Sequence, residues 1–225
     1  DKDNILFTVG DYRYRDHAQN PKNIFGTLQK INLRTKKSEL LAYGLRNSQG
    51  LNFDSITKRV ILTDHGPMGG DEINILNLEK NIIYNYGWPI SSYGEHYGLK
   101  KRDENHQLYK KAPLHKSHKK YEFEEPIKYF VPSIGISEII LLPKKFLNKD
   151  EGNSDINLLY GALGNKPEEG DMSIHITTLN NKYKEIDSNI LNIKERVRDI
   201  IYIKNLNRVF LMLETSASIG VLKLN

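Results

Sequence analysis

Three stretches of the sequence combine glycines, forced turns and charge, and each has the residue types to hold an anion or a hard cation. The first is Gly44-Leu45-Arg46-Asn47-Ser48-Gln49-Gly50, which sets a guanidinium and two amides just ahead of a strand pattern. Forked donors of this kind suit carboxylate and carbonyl oxygens. The second is Thr63-Asp64-His65-Gly66-Pro67-Met68-Gly69-Gly70-Asp71-Glu72. Its glycines and proline free carbonyls from any strand ladder, and two carboxylates close it. Hard cations such as Ca²⁺ take that mixture of oxygens. The third is Glu195-Arg196-Val197-Arg198-Asp199. On a strand, Arg196 and Arg198 project to one side, so two forks could grip a polycarboxylate. Each stretch also has a plainer reading. Arg46 and Asn47 could cap a turn, the Gly-Pro loop could be only tight, and Glu195 and Asp199 could balance the two arginines on the surface.

The elements that must carry these stretches are short. Apolar runs of strand length recur, namely Ile5-Val9, Leu28-Leu33, Val60-Thr63, Ile136-Leu142, Leu158-Leu163, Ile174-Leu179, Ile200-Ile203, Val209-Leu213 and Gly220-Leu224. Turn residues separate them, which predicts an all-β sandwich, barrel or propeller. The best helix candidate, Ile186 to Val197, has no clean apolar stripe. Two internal similarities favour a propeller. Phe53 to Leu62 and Tyr202 to Leu211 share an aromatic residue, a polar turn, Arg-Val and two apolar residues, and Asn4 to Gly10 resembles Asn157 to Leu163. Blades take about 40–50 residues, so this length predicts four to five of them in a single domain over residues 1–225. Arg46-Asn47 and Arg198 sit just ahead of the matching hairpins, and equivalent blade positions open on one mouth of a channel, where propellers bind ligands. Residues 95–126 break the pattern and are expected to form a long surface loop. Its histidines, His96, His106, His115 and His118, match no compact metal-ligand spacing.

Composition narrows the function classes. The 225 residues are 38% hydrophobic and 27% charged, with no apolar run long enough for a membrane span. The absence of cysteine excludes disulfide scaffolds, thiolate metal sites and cysteine nucleophiles, and suits an oxidising compartment. The net charge of +5 is modest and rich in lysine, as in Lys100-Lys101-Arg102 and Lys116 to Tyr121. These runs read as solvated loops, and no nucleic-acid motif accompanies them. The chain opens Asp1-Lys2-Asp3-Asn4 and enters a strand pattern at once, so no signal peptide is visible, and any targeting segment is expected upstream.

A family resemblance rests on the same residues. Gly44 to Leu51, His65-Gly66-Pro67-Met68-Gly69-Gly70-Asp71-Glu72-Ile73-Asn74, Asn85-Tyr86-Gly87-Trp88-Pro89 and Arg196-Val197-Arg198-Asp199 resemble the glucose/sorbosone dehydrogenase family, in the family's order. These are soluble aldose sugar dehydrogenases that depend on pyrroloquinoline quinone. The weaker pieces Thr8-Val9-Gly10-Asp11, Pro132-Ser133-Ile134 and Gly161-Ala162-Leu163 fall in order too. The resemblance implies a six-bladed β-propeller that oxidises the hydroxyl of an aldose or related sugar by hydride transfer to the quinone. An external acceptor then takes the electrons, and the location is periplasmic or secreted. It implies cofactor contacts from Arg46, Asn47, Ser133, Arg196 and Arg198. It also implies Ca²⁺ on the carbonyls of Gly66 and Pro67, and a second, structural Ca²⁺ at Glu72 and near Tyr86.

Two departures stand against this. The family's base histidine has no match in the chain, since neither His17 nor His65 occupies its position. Where the family commonly carries a lysine after Gly-Ala-Leu, this chain has Gly164, with Lys166 two residues on. Six blades need about 250 residues or more, so either an N-terminal blade or two lies outside this sequence or the propeller is a reduced one. The competing expectation is a non-catalytic propeller that serves as a binding or interaction module.

Overall fold

The computed structural model describes residues 3–98, 107–148 and 154–223. The protein is all-β, with strands β1 (Asn4–Val9), β2 (Thr27–Asn32), β3 (Ser38–Tyr43), β4 (Ser48–Asp54), β5 (Arg59–Asp64), β6 (Asp71–Asn77), β7 (Tyr84–Asn85) and β8 (Lys128–Phe130). There follow β9 (Ile136–Leu141), β10 (Ile156–Ala162), β11 (Ser173–Leu179), β12 (Glu185–Asn192), β13 (Val197–Ile203), β14 (Arg208–Leu213) and β15 (Ser218–Leu222). One short helix, α1 (Gln107–Lys111), and a few 3₁₀ turns complete the described elements. The strands form four sheets, three of four strands and one of three. All nine apolar runs overlap strands, with Leu224 of the last run outside the described residues.

The chain divides into two compact units. The first holds Asp1–Ser48, Ser55–Val60 and Asp64–Ser133; the second holds Gln49–Asp54, Ile61–Thr63 and Ile134–Asn225. In the first unit, β1, β2 and β3 run antiparallel in order, and β7 adds parallel to β3. There β6 pairs antiparallel with β8, setting Glu72 opposite Tyr129. Ala18, Trp88 and Leu114 bury together. Leu114 belongs to the stretch 95–126, expected as a surface excursion. Among its described residues that stretch carries almost no strand, yet it buries His96, Ala112, Leu114 and His118, because these side chains complete a core rather than cover it.

In the second unit, β12-β11-β10-β9 form one antiparallel sheet and β13-β14-β15 another. Ile140, Leu159 and Ile174 of the first pack against Val197, Ile200, Val209 and Leu211 of the second. The central strand β10 is buried along Asn157 to Ala162, which explains its near-continuous apolar run. At its end Gly161 has Val197 so close that a Cβ would lie 2.8 Å from it. Strand β12, where Ile186 to Val197 offered the best helix candidate, is an edge strand exposed along its whole length. Pairing with β11 supplies its hydrogen bonds, so no amphipathic stripe is needed.

The first internal similarity is structural. Phe53 to Leu62 and Tyr202 to Leu211 are both strand, four-residue turn, strand. Each turn ends on a left-handed residue before the arginine, Lys58 at φ 55° and Asn207 at φ 49°. The second similarity reaches only to strand type. β1 ends its sheet, whereas β10 lies between β9 and β11.

Candidate functional site

The first unit links Arg46 to Gly66 and Ser133 to Pro67, and one buried carboxylate holds the Arg46 loop. Asp64, at the end of β5, accepts from the backbone N–H of Arg46 at 2.9 Å, the N–H of Asn47 at 2.8 Å and the Ser48 hydroxyl at 2.9 Å. A carboxylate with both oxygens taken up in this way fixes the loop that leads into β4. Burial pushes Asp64 up from 3.8 to about 7, with the Arg46 N–H pulling the other way.

The loop's arginine then clamps the neighbouring turn. Arg46 Nη1 donates to the His65 carbonyl at 2.8 Å and to the Gly66 carbonyl at 2.7 Å. Its guanidinium lies 5.6 Å from the Trp88 ring centre and 5.8 Å from that of Tyr97. Ser133 donates its hydroxyl to the Pro67 carbonyl at 3.3 Å. The turn is tight enough to demand glycine, since a Cβ on Gly66 would stand 1.9 Å from the Gly70 carbonyl oxygen. Met68 and Glu95 exchange backbone bonds of 3.1 and 2.7 Å, and Gly70 N–H reaches the Phe130 carbonyl at 2.6 Å.

Two neighbours were not singled out as site residues from the sequence, although both lie inside quoted motifs. Asp11 accepts from the Trp88 indole N–H at 2.8 Å and from the Arg13 N–H at 2.9 Å. Asp11, Trp88 and Arg46 are far apart in the chain, so only the fold shows that they meet.

The carbonyl set at Gly66 and Pro67 does not fit a calcium ion as arranged. The Gly66 oxygen already accepts from a guanidinium, so a divalent cation on it would stand beside a fixed positive charge. The second expected position is also engaged. Glu72 is buried, with His118 Nε2 3.3 Å from Oε1 and the Asn74 amide donating to Oε2 at 3.2 Å. Tyr86 is buried and donates its hydroxyl to the Ile75 carbonyl at 3.0 Å. Among the described residues no three His, Asp or Glu side chains gather as a metal set. His96 meets Arg15 and the Ala112 carbonyl, His115 stacks on Tyr121, and His118 stacks on Tyr93. His106 and the run Lys100-Lys101-Arg102 lie outside the described residues.

The second unit holds the other two candidate arginines. Arg196 Nη1 lies 3.5 Å from Glu214 Oε1, and Arg198 Nε donates to Oε2 of the same carboxylate at 2.8 Å. Both forks therefore project to one side, as expected, although a register shift between Val197 and Asp199 interrupts the simple alternation. One carboxylate balances one of the two charges. Arg196 Nε is buried with no acceptor among the described residues, an orphan donor that suits an incoming carboxylate.

Gly164 has a structural reason. A Cβ there would fall 2.0 Å from the Asp171 carboxyl carbon, so the Asp171 carboxyl fills the place a side chain would take. Asp171 is buried and accepts the Lys166 N–H at 2.7 Å, while the Lys166 ammonium turns to Glu169 at 2.9 Å. Gly164→Lys is expected to cost about 2 kcal/mol, because Asp171 must leave a packed position. An unchanged or higher thermal midpoint in the variant would contradict this.

Comparison with known proteins agrees with the motifs. The family described as Glucose / Sorbosone dehydrogenase matches residues 1–220. The chain is 30% identical over 212 residues to the aldose sugar dehydrogenase YliI of Escherichia coli, covering 87% of this chain and 50% of that protein. It is 27% identical over 204 residues to the uncharacterized protein slr1608 of Synechocystis, covering 85% and 43%. The solved apo-form of the soluble aldose sugar dehydrogenase of Escherichia coli superposes with a TM-score of 0.74 at 23% identity, over 99% of this chain and 62% of that one. The chain spans about half the length of the curated relatives it matches.

Proposed function

Because the chain belongs to the glucose/sorbosone dehydrogenase family, we propose that it works as a sugar oxidoreductase dependent on pyrroloquinoline quinone. Its four sheets are then blades of a six-bladed propeller, and its place is periplasmic or secreted. The observation that carries the reading is the Arg46 clamp, in which a guanidinium is held by two carbonyls and so keeps its charge for a ligand. When bound, the quinone supplies the hydride acceptor, and the electrons pass on to an external acceptor.

The chain's own residues bind and orient. Asp64 sets the loop, and Arg46 offers a fixed charge to developing negative charge, at no reorganisation cost during the reaction. Asn47 follows on the same loop. In the second unit, the orphan Nε of Arg196 and the charge that Glu214 leaves unbalanced suit a cofactor carboxylate. Calcium is left out of this reading, since the Arg46 guanidinium on the Gly66 carbonyl sets a positive charge beside that oxygen.

A non-catalytic binding propeller draws on two observations, the Asp171 carboxyl filling the place beside Gly164 and Glu214 engaging both Arg196 and Arg198. Absorbance titration of the purified protein with pyrroloquinoline quinone separates the readings. Saturable binding, weakened at least tenfold by Arg196→Ala, is expected. No saturable binding by the parent would reject cofactor dependence and leave the binding module.

A further inference from the structure

Beside the Arg46 clamp, the first unit has a half-open cavity of about 770 Å³, within the range of small-molecule sites. Four cations, Arg13, Arg15, Arg46 and Lys111, line it with two carboxylates, Asp11 and Asp16. The cations come from three separate parts of the chain, so the fold gathers them.

The lining keeps an excess of two positive charges over its two carboxylates. Arg46 is held by two carbonyls, which are neutral. Arg15 Nη1 lies 3.3 Å from His96 Nδ1, while His96 Nε2 is 2.8 Å from the Ala112 carbonyl. A carbonyl only accepts, so Nε2 carries the proton and Nδ1 accepts from Arg15, leaving the imidazole neutral. Arg15 and Arg46 also lie 5.7 and 5.6 Å from the centre of the same indole, Trp88. Two guanidiniums gathered at one ring repel each other unless an anion joins them. Asp11 is turned to neutral donors, the Trp88 indole and the Arg13 N–H. Among the described residues, no carboxylate forms an ion pair with any of the four cations. Tyr97, 57% exposed, adds an aromatic wall of the kind on which a sugar ring can stack.

We infer that this cavity takes an anionic sugar, one bearing a carboxylate or a phosphate, in preference to a neutral aldose. The inference rests on the sugar oxidoreductase reading and names its substrate class. The Arg15 guanidinium beside Trp88 grips the anionic group, Arg13 and Lys111 add long-range attraction that salt screens, and Arg46 is left to the quinone.

Trp88 is the only tryptophan and packs against two lining guanidiniums, so its emission follows changes at the cavity through them. The purified protein is titrated with glucose, glucuronate, glucose 6-phosphate and inorganic phosphate while that emission is followed. At least one of the two anionic sugars should saturate at a concentration tenfold or more below glucose, and the stronger of the two identifies the anionic group. Arg13→Gln and Lys111→Gln should each weaken its binding about threefold or more. Lys182→Gln, an equal charge change on an exposed turn of the other unit, should leave it alone. Raising salt should weaken the anions and not glucose. Glucose binding as tightly as both anionic sugars, or inorganic phosphate matching glucose 6-phosphate, would overturn the inference. So would equal losses in all three variants. Quinone titration is read separately: anionic-sugar binding without quinone binding removes the cofactor reading alone, and the converse removes this inference alone.

Discussion

Asp64→Ala is expected to destabilise the protein by about 3 kcal/mol, as three donors lose their shared acceptor. Those donors are the N–H groups of Arg46 and Asn47 and the Ser48 hydroxyl. Partial exposure lets water rescue some of them, which keeps the cost below the full penalty for three buried donors. The loop should also lose its geometry, so quinone binding should fall with stability. Asp64→Asn tests the electrostatics separately. Burial raises the carboxyl from 3.8 to about 7, so between those values the folded form holds a proton that the unfolded chain has released. A raised pKa contributes stability that is full below 3.8 and is lost as pH rises through about 7. Over that window urea unfolding should show the parent losing stability relative to the asparagine variant, which cannot titrate. Parallel profiles for the two proteins would refute the buried-carboxyl argument.

Gly66→Ala should cost about 3 kcal/mol or more, for a different reason. Its Cβ would fall 1.9 Å from the Gly70 oxygen and 2.3 Å from the Gly70 carbonyl carbon, and backbone cannot swing aside as a side chain can. Opening the turn also pulls the Gly66 carbonyl from Arg46 and frees the guanidinium. Gly69→Ala is the comparison. There a Cβ meets nothing nearer than 3.6 Å, and the cost is only that of φ 69°, about 1 kcal/mol. Urea midpoints of the two variants decide the matter. If Gly66→Ala unfolds no more easily than Gly69→Ala, the close approach of the two backbones is not what shapes the turn.

What could be read from the residues, and what could not, divides along physical lines. Apolar runs such as Leu158-Leu163 announced their strands because burial on both faces leaves a continuous signal. β6 did not, since its buried residues include Asp71, Glu72 and Asn74, polar groups that break the apolar run. β12 did not either, because an edge strand with both faces in solvent has no periodicity to show. In the site, Arg46, Gly66 and Pro67 stood out through turn chemistry and charge. The role of Asp64 was hidden because two of its partners are backbone N–H groups, which no side-chain pattern reveals. Arg15, His96 and Trp88 gather only through tertiary packing. The pairing of Arg196 and Arg198 with Glu214 depends on how β13 and β14 align, a register that a local motif does not contain.

The matching hairpins carry one further consequence. Both turns require a left-handed residue before the arginine, and asparagine at 207 adopts that conformation more readily than lysine at 58. The later copy thus holds a ready-made amendment to the earlier one. An engineer seeking a hardier version of the protein need only transcribe a letter that it already spells elsewhere.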